Sequence, residues 1–115
     1  ETANCTDFGD LTNDRGYIGS GQNDPAGRGF FSGGSSKDNI DYITIASAGN
    51  ATNFGDALNQ EDATSATSNA TRGIIAGNAS SGNYISYITI SSTGNATDFG
   101  DLTTGRGYIG ATSGD

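Results

Sequence analysis

Carboxylates are the reactive groups that this chain repeats. Asp7 and Asp10 sit in the hexapeptide CTDFGD at Cys5–Asp10, and Asp98 and Asp101 sit in ATDFGD at Ala96–Asp101. A middle occurrence, ATNFGD at Ala51–Asp56, carries Asn53 and Asp56 in the same places. Two chemistries suit such oxygens. A hard cation such as Ca²⁺ takes clustered carboxylate and carbonyl ligands. A short Asp side chain can instead close a turn on its own backbone. The chain has neither EF-hand spacing nor a GGxGxD calcium repeat, so solvated turns are the preferred reading. Calcium at Asp7, Asp10, Asp98 and Asp101 is the alternative. Lys37–Asp41, KDNID, is one more acidic turn. The Asp-Phe-Gly tripeptides match a kinase motif by chance, because no phosphate-binding loop, partner lysine or catalytic loop accompanies them.

Catalytic groups are otherwise scarce. The chain has no histidine and a single cysteine, so neither a Ser-His nor a Cys-His pair is available. Paired carboxylates of the glycosidase kind remain. Their recurrence in every copy favours a structural role, since a catalytic pair is usually unique. The expectation is a protein that is not an enzyme and has no cofactor. Cys5 occupies a position that the other copies fill with Ala51 and Ala96, a slot for a small side chain. Four of the five basic residues, Arg15, Arg28, Arg72 and Arg106, each precede a glycine and an apolar run. In an acidic repeat they are expected to act as structural clamps on a neighbouring repeat's Asp. Asn-x-Ser/Thr sequons occur at Asn4, Asn50, Asn69, Asn78 and Asn95. They are candidate glycosylation sites in a secreted eukaryotic protein, and simply asparagine turns otherwise.

These residues are positioned by a tandem repeat of about 45 residues. The hexapeptides recur at offsets of 46 and 45. DYITIASAGN at Asp41–Asn50 returns as SYITISSTGN at Ser86–Asn95. RGYIG at Arg15–Gly19 returns at Arg106–Gly110, and RGFFSGG at Arg28–Gly34 returns as RGIIAGN at Arg72–Asn78. The copies run 5–50, 51–95 and a partial 96–115, in a single repeat domain spanning 1–115. Where RGYIG would fall, the middle copy has the polar stretch Gln60–Thr71, expected to be an edge strand or a loop insertion.

The fold class is all-β. Strands are expected around Thr6–Leu11, Gly16–Gly19, Gly29–Ser32 and Ile40–Ala46, the last mirrored by Tyr84–Ile90. Each is a short β-branched or aromatic run bounded by Gly, Asn, Asp and Ser. No helical periodicity is present. Hydrophobic residues make up only 32% of the chain, with 19 glycines and no Trp, so the core must be thin. Phe8, Phe54 and Phe99, with Tyr42 and Tyr87, are expected to pack within it. A net charge of −8 without a Lys/Arg cluster argues against nucleic acid. No apolar run is long enough to cross a bilayer.

Four short strands per copy resemble the blade of a β-propeller. The glycine pair and the Arg-Gly-aromatic motif are similar to kelch-type blades. The wording DYITIASxGNATxFGDLTxxRGY resembles repeats of marine phage tail or fibre proteins and environmental bacterial surface proteins. That resemblance implies propeller-like blades, with an open β-solenoid or sandwich as the other architecture. It implies an assembly role in a virion fibre or extracellular filament, with a carbohydrate-binding, lectin-like module as the alternative. The expected location is extracellular or virion. Two and a half copies leave strand edges bare, so the expected partners are further copies of the chain or the remainder of a longer one. A glycan is a candidate ligand.

Overall fold

The computed structural model describes residues 3–23, 27–80 and 82–114. Among the described residues, eight strands form two four-stranded antiparallel sheets, each a simple up-and-down meander. The first sheet holds β1 (Gly19–Asn23), β2 (Arg28–Ser32), β3 (Lys37–Thr44) and β4 (Thr52–Glu61). The second holds β5 (Ser65–Ser68), β6 (Arg72–Asn78), β7 (Gly82–Thr89) and β8 (Thr97–Asp101). The sheets pack as a sandwich-like globule of 44 × 28 × 27 Å.

This corrects the propeller expectation. Periodicity specifies the meander, because strand length and turn chemistry are local. It does not specify how many meanders meet or around what. Two sheets enclose no central axis, so they bury their apolar faces on each other. Each sheet also straddles a copy boundary, taking its first three strands from one copy and its fourth from the next.

Of the expected strand at Ile40–Ala46, Ile40–Thr44 lie in β3 while Ile45 and Ala46 fall in the turn that follows, and the one at Gly29–Ser32 lies in β2. Thr6–Leu11 is not a strand, although its equivalents β4 and β8 are. Of Gly16–Gly19, only Gly19 enters β1. The polar stretch Gln60–Thr71 contains β5, which is an edge strand of the second sheet. A register shift falls between Ile40 and Asp41 on β3 and recurs between Ile85 and Ser86 on β7. The repeat therefore carries its irregularity as faithfully as its strands.

The core is one cluster between the sheets. Phe30, Ile40, Ile75, Ile88 and Ile90 are essentially inaccessible, and Phe54 is nearly so. Each such side chain contributes about 1.5–3 kcal/mol on burial. Glycine makes room for Phe30: a Cβ on Gly73 would lie 2.5 Å from Phe30 Cζ, and one on Gly21 would lie 2.6 Å from Cε1. The RG dipeptide ahead of each apolar run is thus a packing requirement at Gly73.

Candidate functional site at the seam between repeats

The repeated polar residues converge where one copy meets the next. Asp7 Oδ1 accepts from the Gly9 N–H, Asn53 Oδ1 from the Gly55 N–H, and Asp98 Oδ1 from the Gly100 N–H. Each closes on the backbone two residues ahead, within β4 and β8 and, for Asp7, in the strandless segment before β1. Among the described residues, no three His, Cys, Asp or Glu side chains gather as a metal site. Asp10 and Asp101 are exposed.

The turn brings a glycine against the last residues of its own copy, where the chain passes into the next. A Cβ on Gly9 would lie 2.4 Å from Gly49 O, and one on Gly55 would lie 2.3 Å from Gly94 O. Both glycines have positive φ, +145° and +155°. Main-chain bonds flank the contact. The Gly49 and Ala51 N–H groups donate to Phe8 O and Asp10 O at 2.7 and 2.8 Å. Gly94 and Ala96 donate identically to Phe54 O and Asp56 O, both at 2.8 Å. Asn50 Oδ1 accepts from the Asp10 N–H, and Asn95 Oδ1 from the Asp56 N–H, each at 3.0 Å. The joint is built twice with the same atoms.

A second line of contacts runs through the RGYIG position. Tyr17, Ala63 and Tyr108 are repeat-equivalent and all left-handed, with φ of 58°, 53° and 54°. The Ala63 N–H donates to Tyr17 O and the Tyr108 N–H donates to Ala63 O, linking three copies in a chain. The Tyr17 and Tyr108 rings meet edge to face at 6.4 Å while remaining largely exposed.

The four arginines occupy four environments. Arg15 is buried, with Nη2 2.7 Å from Asp41 Oδ2 and both side chains at 0% exposure. Its Nη1 donates to Asn39 O at 2.7 Å. Asp41 also accepts from the N–H and Oγ1 of Thr12. The pair lies within one copy, 5–50, although it ties the leading segment to the first sheet. Arg28 lies over the Tyr42 ring at 4.3 Å and donates through Nη1 to Ile90 O, crossing from the first sheet to the second. Arg72 repeats the stacking, over Tyr87 at 4.6 Å. Arg106 is exposed, and its Nε reaches Thr104 O at 3.3 Å.

The aromatic set also divides. Phe54 is 3% exposed, Phe8 37% and Phe99 57%. Tyr42 meets Phe54 edge to face, and Tyr87 meets Phe99 in the same way. The sequence marked these phenylalanines as equivalent. Their burial depends on whether a further repeat lies outside them.

Of the sequon asparagines, Asn4, Asn50, Asn69 and Asn95 are exposed. Asn69 Oδ1 caps a turn through the Thr71 and Arg72 N–H groups. Asn78 is buried, and its Nδ2 donates to Gln60 O. Cys5 is exposed and free. Sequence reasoning did not single out Asp41 as an ion-pair partner, or Asn50 and Asn95 as joint residues. The repeated GNA tripeptide was the available signal for the asparagines.

Two grooves are also repeat-equivalent. One of about 360 Å³ is lined by Tyr42, Thr44, Ser47 and Asn50. The other, of about 310 Å³, is lined by Tyr87, Thr89, Ser92 and Asn95.

No protein-family model matches the chain, and no curated protein sequence matches it. The resemblance to kelch blades and to phage tail repeats therefore does not hold: the two-sheet topology removes the propeller, and no family match supplies the kinship. No helix among the described residues is long and apolar enough to cross a membrane.

Proposed function

We propose that this chain is a non-enzymatic structural module whose work is assembly, as part of an extracellular filament or virion fibre. The observation that carries the reading is the joint itself. The same set of main-chain, asparagine and glycine contacts ties the head of a copy to the junction with the next copy twice, and its leading half is displayed a third time on β8. A Cβ on Gly100 would meet nothing within 4 Å, where Gly9 and Gly55 are pressed against the residues that end their copies, Gly49 and Gly94. Phe99 beside it is 57% exposed. An uncovered strand edge with matched side chains invites strand-mediated association. The partner is then further copies of the same repeat.

The test is the mass of the purified chain by light scattering across a concentration series, with a glycan array in parallel. Growth in mass with concentration, without sugar binding, is the expected result. A concentration-independent monomer that binds glycans would overturn it.

The second reading is a carbohydrate-binding module. Its support is the pair of equivalent grooves, each with one tyrosine and several hydroxyl and amide groups, the mix that suits a sugar. Asn50→Ala and Asn95→Ala would each remove part of the glycan signal if those grooves bind sugar.

A further inference from the structure

The segment leading into the first sheet and the segment ending the second are nearly the same peptide. Residues 5–19 read CTDFGDLTNDRGYIG and residues 96–110 read ATDFGDLTTGRGYIG, differing only at Cys5/Ala96, Asn13/Thr104 and Asp14/Gly105. Their situations differ. Residues 5–19 lie on the first sheet, with Phe8 and Asp10 carbonyls taken by Gly49 and Ala51 and with Arg15 on Asp41. Residues 96–110 lie on the second sheet through β8 and through the Arg106 N–H to Gly82 O. Their opposite side, with Gly100, Phe99 and the Arg106 guanidinium, faces solvent.

We propose that residues 96–110 of one copy seat on the first sheet of a second copy, in place of that copy's own residues 5–19. Every contact has a template within the chain. Gly49 and Ala51 of the second copy donate to the carbonyls of Phe99 and Asp101. The Asp101 N–H donates to Asn50 Oδ1. Arg106 takes the position of Arg15 beside Asp41 and Asn39. Ala63 donates to Tyr108 O as it does to Tyr17 O. The second sheet of one copy then covers the first sheet of the next as the two sheets cover each other within one chain. Ile45, now 44% exposed, gains the cover that leaves its equivalent Ile90 at 0%.

The energetics favour exchange over simple addition. The main-chain and asparagine bonds given up equal those gained, so they cancel. The net gain is apolar: Phe99 and Ile45 leave water, offset only by the part of the Phe8 ring that the displaced segment uncovers. The opposing factor is that residues 5–19 are tethered to their seat at high effective concentration. Exchange of an identical element between copies is a low-cost route to association, and because donor and acceptor surfaces differ, each exchanged copy offers the next joint.

This inference rests on the assembly reading but is tested separately from it. A fluorescently labelled peptide of residues 96–110 is titrated into the full-length chain and followed by anisotropy. Saturable binding is expected, and it should tighten when the chain carries Arg15→Ala, which loosens the resident segment. The same peptide carrying Arg106→Ala should bind roughly thirtyfold more weakly or worse, the loss seen on truncating one partner of a buried charge pair. Absence of binding to the wild-type chain, or equal binding of the two peptides, overturns the exchange. The wild-type titration stands alone if Arg15→Ala does not fold. In light scattering, mass that rises equally for the wild type and for Arg106→Ala overturns the exchange and leaves the assembly role standing.

Discussion

Asp41→Ser is the most informative single perturbation of this fold. Asp41 and Arg15 have no exposed side-chain surface, and their charged atoms lie 2.7 Å apart. Replacing the carboxylate strands a buried guanidinium and frees the Thr12 N–H and hydroxyl of their acceptor. Breaking a buried pair from one side costs about 3–5 kcal/mol. A chain of 115 residues is held by roughly 6–17 kcal/mol in total at typical stability per residue. The substitution therefore removes a large share of the stability, and the urea midpoint should fall by roughly 1–5 M with an unchanged slope. The sequence contains its own control. The positions equivalent to Arg15 and Asp41 in the second copy are Glu61 and Ser86, so both members of the pair are replaced together. Arg15→Glu alone sets a second acid beside Asp41 and should be worse than Asp41→Ser. The double variant Arg15→Glu with Asp41→Ser should recover about 1–3 kcal/mol relative to additivity. A loss below about 1 kcal/mol for Asp41→Ser, or strictly additive single effects, would refute the reasoning.

Phe54→Ala should cost about 3–5 kcal/mol as a core truncation, while Phe99→Ala, its repeat equivalent, should cost less than about 1 kcal/mol in the monomer because more than half of that residue is already in water; thermal and urea melts of the two variants make the comparison. Gly73→Ala forces a methyl into the Phe30 ring and should destabilise by about 1–3 kcal/mol, read as a lowered melting temperature. Ala63→Gly relieves a left-handed alanine but gives up a buried methyl and adds unfolded-chain entropy, so it should change stability by less than about 1 kcal/mol, measured by urea unfolding. When the chain is secreted from a glycosylating host, peptide mass spectrometry should find Asn50 and Asn95 modified and Asn78 bare, because the Asn78 amide is buried and bonded to Gln60 O.

The local units are legible in the residues alone. The β-branched run at Asp41–Ile45 and its copy at Ser86–Ile90 specify strands, and the Asp-x-Gly tripeptides specify the turns that β4 and β8 carry. Strand propensity and turn chemistry act over a few residues, so a repeat reports them directly. The tertiary structure decided everything that depends on what lies next to a residue. Phe8, Phe54 and Phe99 share one motif yet range from core to surface. Arg15 and Arg106 share RGYIG, yet one is sealed on Asp41 and the other faces water. The packing of two meanders into a sandwich, in place of a ring of blades, belongs to the same category. Repeat periodicity is a property of the chain in one dimension, whereas burial and charge pairing depend on which faces meet, and that is set only when the sheets come together.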